Sequence, residues 1–198
     1  MSEALEFLND LFAKAKKAGA DAADGHHVVS QSLSTSMRMG QREDLERSES
    51  LDMMLRVFVG QRQACVASSD TSAQAMDELV ERAVSMAKVA PEDPYCGLAP
   101  EDRLAKTWPD LDSYDDYEYD TEALYDIGAE AEEAALAVDG VTNSNGAGAG
   151  WSRAEVAIAT SHGFAGSYKS SSYSFSASVL AGEGTDMESD YDYSSKRH

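Results

Sequence analysis

The stretch Gln41–Ala67, QREDLERSESLDMMLRVFVGQRQACVA, decides the fold class. Its charged first part, to about Ser50, has the polarity of a solvated strand. Leu51–Val59 is the most apolar strand of the chain, with Leu55, Val57 and Val59 expected in a core. Gly60-Gln61-Arg62 supplies a short turn and Gln63–Ser68 returns, which makes this region an antiparallel hairpin.

Upstream, the period is again two. One face reads His27, Val29, Gln31, Leu33, Thr35, Met37 and Met39; the other reads His26, Val28, Ser30, Ser32, Ser34, Ser36 and Arg38. That alternation is a strand with one buried and one wet face, turning at Gly40-Gln41 into the charged strand. The result is an antiparallel meander.

Helical spacing flanks it. Leu5, Leu8, Leu11, Phe12 and Ala15 predict a first helix from about Ser2 to Ala18, with Lys14, Lys16 and Lys17 near its negative end and Gly19 as its stop. Asp70, Thr71 or Ser72 caps a second helix with the stripe Met76, Leu79, Val80, Ala83, Val84 and Ala87, which Pro91 ends. Residues 91–120 hold all four prolines and many acids, interleaved with Trp108, Tyr114, Tyr117 and Tyr119. This composition describes a long surface connection packed down by its aromatics. A third helix is expected at about Thr121–Val138. Strands follow at Val141–Trp151 and Glu155–Thr160, joined by a turn at Ser152-Arg153-Ala154, then at Gly166–Ala181 and Met187–Ser194.

The expected fold is α+β, with antiparallel or mixed β-sheets packed with about three α-helices. Residues 1–90 are helix, meander and helix, 91–120 the acidic aromatic connection, and 121–198 a helix followed by strands. Each half begins with a helix and continues into a meander, which suggests a weak internal duplication.

Composition limits the function. The chain has 198 residues, 42% hydrophobic and 26% charged, with 16 basic against 36 acidic side chains and a net charge of −20. No run of Lys or Arg offers a phosphate backbone a footing, so nucleic acid is not an expected direct partner. No apolar run approaches the roughly 20 residues of a membrane span. Met1–Asp10 lacks the basic and apolar segments of a secretory leader. Cys65 and Cys96 make no CxxC pair, and Cys65, within an apolar strand, is expected to be buried. A cytoplasmic location fits these features.

Chemistry-bearing motifs are sparse. His26 and His27 are adjacent on a strand and point to opposite faces, which does not suit chelation of one ion. His162 and His198 complete the histidines, and there is no HExxH; no metal ligand is assigned. Ser161-His162 beside a serine-rich strand invites a nucleophile reading, but no Gly-x-Ser-x-Gly accompanies it, and a turn histidine is the plainer account. The run Asn145–Gly150 leads into a strand, not a helix, which suits close backbone approach better than a phosphate cradle. Carboxylate pairs such as Glu43-Asp44, Asp115-Asp116 and Glu132-Glu133 are too common here to inform. Glu183, between Gly182 and Gly184, is more accessible.

Five ordered motifs resemble one family. They are Leu45-Glu-Arg-Ser-Glu-Ser50, Leu55-Arg-Val-Phe-Val-Gly60, Val141-Thr-Asn-Ser, Ser161-His-Gly-Phe-Ala-Gly-Ser167 and Tyr191-Asp-Tyr-Ser-Ser195. Together they are similar to the PmbA/TldD family, also called modulators of DNA gyrase, on its PmbA/TldE branch. The resemblance implies a cytoplasmic heteromeric metalloprotease that processes small unfolded peptides. It places zinc in the TldD-like partner, on an HExxxH-type helix, and none in this chain. It also implies a further strand-rich domain beyond the equivalent of His198, so that these residues are an N-terminal portion.

Three functional expectations follow. The first is a non-catalytic subunit portion that lines a cavity and holds extended peptide by strand addition, the serine face of Gly166–Ala181 being a candidate lining. It would partner a TldD-like protein and could self-associate. The second is an acidic module that modulates gyrase or another basic partner. The third is an independent hydrolase built on His162 and Glu183. No catalytic residue is assigned; the candidate substrate or partner contacts are Arg47, Glu49, His162 and Glu183.

Overall fold

A computed structural model describes residues 2–197; His198, counted above among the histidines, lies outside the described residues. Among the described residues the order is α1 (Glu3–Ala18), β1 (Ala22–Arg38), β2 (Gln41–Val59), β3 (Arg62–Ser68), α2 (Ala73–Val89), α3 (Thr121–Leu136), β4 (Val141–Thr160), β5 (Ala165–Ala181) and β6 (Glu188–Lys196). The strands form one six-stranded sheet in the order β3-β2-β1-β4-β5-β6, an α+β architecture. Each half contributes a helix followed by a three-stranded meander, as the sequence pattern suggested.

The helices arise from local chemistry. The Ser72 hydroxyl accepts from the Ala75 amide and Asp120 Oδ1 from the Ala123 amide, each satisfying an otherwise orphaned first-turn donor. Gly19, at φ 105°, ends α1 in the left-handed conformation.

Two sequence expectations are corrected by longer strands. β2 runs unbroken through Ser50, where the charged and apolar parts meet. β4 runs unbroken through Ser152-Arg153-Ala154, where a turn was expected. No residue there needs a left-handed conformation. Arg153 is held along the strand by Gln31 Oε1 at 2.6 Å and by Glu118 at 2.5 Å, with its guanidinium 5.6 Å from the Trp151 ring centre. Cys65 is also corrected: Ala64 and Val66 take the core positions of β3, so the period of two leaves Cys65 exposed.

The chain resolves into two compact units. The first holds residues 1–29, 50–111 and 155–168. In it α1 packs against α2 and α2 against β3, and Leu8, Leu11, Met53, Leu55, Val57 and Leu79 are fully buried. Arg56 forks onto the Asp24 carboxylate, and that bond raises its pKa despite the opposing cost of burial.

The second unit holds residues 30–49, 112–154 and 169–198. Its core gathers Leu33, Leu124, Ala149 and Trp151, with Tyr119, Ile127 and Tyr173 packed around it. The Trp151 indole donates to the Tyr119 carbonyl at 2.9 Å, and Tyr119 stacks edge-on against both Tyr117 and Tyr173. Tyr119 thus holds the end of the connection against this core. The glycine-rich run of β4 is a close approach: a Cβ on Gly148 would sit 2.6 Å from the Thr35 carbonyl oxygen.

Candidate functional site

The four sequence candidates occupy three settings. Arg47 and Glu49 are exposed on β2, two residues apart and so on one face, and their side chains pair at 3.0 Å. β3 covers β2 only from Met53 to Val59, so the segment carrying this pair has β1 as its one sheet neighbour among the described residues.

His162 lies in the turn between β4 and β5. Its Nε2 donates to the Ala99 carbonyl at 2.7 Å. The Thr160 hydroxyl lies 2.8 Å from Nδ1 and itself accepts from the Phe164 amide at 3.0 Å. A carbonyl can only accept, so the neutral ring carries its proton on Nε2. Nε2 thus ties the connection to the turn, while Nδ1 stays within the turn on the Thr160 hydroxyl.

Glu183 is exposed at the head of a short 3-10 turn, between Gly182 at φ 84° and Gly184 at φ 63°. Its carbonyl accepts from the Asp186 amide at 3.2 Å.

Glu132 is the residue that sequence reading passed over. It is only 3% exposed, on α3. Its carboxylate accepts from the Met39 and Gly40 amides, both at 2.8 Å, and from the Ser144 hydroxyl at 2.5 Å. It thus braces the β1–β2 turn, where Met39 and Gly40 both have positive φ. Burial pushes its pKa up; the hydrogen bonds from Ser144, Gly40 and Met39 and the charge of Arg38 outweigh that and hold it below the ordinary value. Glu133, its sequence neighbour, is exposed. A charged residue in the apolar stripe position of a helix was the available signal.

The second unit also contains a cavity of about 780 Å³ between the outer flank of α3 and the sheet face of β5 and β6. A second cavity, of about 530 Å³, shares Ala131, Ala134 and Phe175 with it. On the β5 face Phe175 is 44% exposed. α3 covers only part of that face.

Among the described residues, no three His, Cys, Asp or Glu side chains are grouped to hold a metal ion. His27 instead packs edge-on against Phe7 at 5.8 Å, and burial lowers its pKa against the opposing pull of Glu3.

Two family models match this chain: PmbA/TldA metallopeptidase domain 1 over residues 27–87, and the central domain of the same metallopeptidases over 114–197. The chain belongs to the PmbA/TldD family. Among PmbA/TldD relatives, it is 35% identical over 198 residues to the metalloprotease PmbA homolog of Haemophilus influenzae and 30% identical over 192 residues to metalloprotease PmbA of Escherichia coli O157:H7. It covers 43% of the length of each. A crystal structure from Bacteroides thetaiotaomicron, described as a modulator of DNA gyrase, shares the fold with a TM-score of 0.90 at 22% identity, over 100% of this chain and 46% of that one. TldE from Thermococcus kodakarensis shares it with a TM-score of 0.80 at 16% identity, over 97% and 43% of the two chains. No helix of this PmbA/TldD member is long and apolar enough to cross a membrane among the described residues.

Proposed function

We propose that this chain is part of a PmbA/TldE-type, non-catalytic subunit of a cytoplasmic heteromeric metalloprotease that processes small unfolded peptides. The observation that carries the reading is the match along all 198 residues to a curated metalloprotease PmbA homolog. In this reading a TldD-like partner supplies the zinc and its ligands. This chain contributes sheet: an extended peptide adds along the free edge of β2, where Arg47 and Glu49 stand, and main-chain hydrogen bonds bind it with little regard to sequence. Strand addition suits unfolded peptides because their amides are unpaired.

The test mixes the full-length protein with its TldD-like partner and follows cleavage of an unfolded peptide by mass spectrometry. Cleavage is expected only with both subunits. Equal cleavage by the partner alone would remove the proposal.

The net charge of −20 favours a second reading, an acidic module that binds a basic partner such as a gyrase. It requires binding that weakens steeply with salt, and salt-independent binding would count against it.

A further inference from the structure

In the first unit, two helices packed on each other cover the sheet residues. In the second, α3 is the sole α-helix among the described residues. Its flank bearing Ala131, Ala134, Ala135 and Val138 remains open, Val138 being 58% exposed. Beside it the sheet presents Phe175, Ala177 and Val179 of β5. The register sets Val179 opposite Asp190, Ala177 opposite Asp192 and Ala181 opposite Glu188. Directly opposed residues share a face, so three carboxylates of β6 rim this apolar floor. Asp139 adds a fourth acid to the lining, and among the described residues that cavity has no basic side chain.

β6 ends the strand order, which ordinarily invites another strand. Here the Tyr191 amide donates to Asp190 Oδ1 at 2.9 Å and the Tyr193 amide to Asp192 Oδ1 at 2.8 Å. Residues two apart direct their amides to the same side, so two central outward donors of the edge are already occupied. An added strand would have to displace two carboxylates. A helix satisfies its own backbone and needs only an apolar floor with complementary charge alongside.

We infer that this groove docks an amphipathic helix of a partner protein, with its apolar stripe against α3 and β5 and a flanking row of Lys or Arg along Glu188, Asp190 and Asp192. The helix completes on the second unit the two-helix layer that α1 and α2 make on the first. The inference stands independently of any peptidase activity, because its readout is binding alone.

The probe is a roughly 18-residue peptide of Leu and Lys at helical spacing, fluorescently labelled and titrated with the full protein. A peptide of the same composition in strict alternation, which favours a strand, is the comparison. The helical peptide is expected to bind about tenfold more tightly than the alternating one. Phe175→Ser and the pair Asp190→Asn with Asp192→Asn are each expected to weaken it about tenfold. The Asn side chains retain an oxygen for the edge amides. Neutralising Glu78 and Glu81 of α2 as Gln removes the same charge elsewhere and is expected to change nothing. If Phe175→Ser does not fold, the exposed Val138→Asn replaces it. Tighter or equal binding of the alternating peptide overturns the helix. Equal weakening by both acid pairs, or no effect of the apolar variant, reduces the binding to bulk charge and overturns the site.

Discussion

Glu132 shows how one residue type divides by environment. Met39 and Ser144 donate to one oxygen of its carboxylate and Gly40 to the other, so the single amide oxygen of Glu132→Gln cannot serve both positions and at least one donor is left facing an N–H. We expect that substitution to cost about 2–4 kcal/mol in urea unfolding at neutral pH. The pH dependence has a definite sign. A carboxylate whose folded pKa lies below its ordinary value of 4.5 stabilises the fold above that value, and loses the contribution as pH falls through the lower folded value. The gap between wild type and Glu132→Gln should therefore narrow in acid. A gap that is constant from neutral to acid pH would show that the carboxylate's charge is not what braces the turn. His162 behaves differently, since its Nε2 ties the connection to the turn. His162→Ala should loosen the 91–120 connection, read as faster proteolysis there.

At the scale of elements, glycines are constrained for two separate reasons. Gly148 has no room: an added Cβ would meet the Thr35 carbonyl oxygen at 2.6 Å. Gly40 has room on every side but sits at φ 71°. Gly148→Ala should cost about 1–3 kcal/mol by forcing two strands apart. Gly40→Ala should cost about 1–2 kcal/mol by backbone strain alone. Parallel urea titrations check both, and only Gly148→Ala should perturb the near-ultraviolet signal of Trp151, whose strand must shift. Ser72→Ala removes the cap of α2 and should cost about 1 kcal/mol. Element identity was readable from periodicity because burial alternates by two in strands and by three or four in helices. Element length was less readable. A stretch such as Ser152-Arg153-Ala154 has no intrinsic strand pattern, and it is extended because neighbouring strands pair with it and Arg153 finds Gln31 and Glu118.

At the scale of the whole molecule, charge dominates. A net charge of −20 on 198 residues opposes compaction by self-repulsion. Raising salt from about 0.05 to about 0.5 M should shorten the screening length and raise the thermal midpoint by several degrees. A falling midpoint would mean that pairs such as Lys14 with Asp77, or Arg62 with Glu92, outweigh the repulsion. The same charge governs partners, since any basic segment is drawn to this protein before it finds a specific site.

The sequence alone determined the three helices, the two meanders and the family, because helical and strand periods and the ordered motifs are local properties of the chain. It also determined that Leu55 and Val57 belong to a core. The tertiary structure alone decided which carboxylates matter. Glu132 differs from Glu133 only by pointing toward the amides of Met39 and Gly40, residues distant in sequence. Asp190 and Asp192 acquire their significance from β6 being the edge strand among the described residues, which strand pairing and not composition sets. The exposure of Phe175 depends on how far one helix reaches across a sheet. Each is a consequence of long-range packing, for which neither propensity nor period carries a signal.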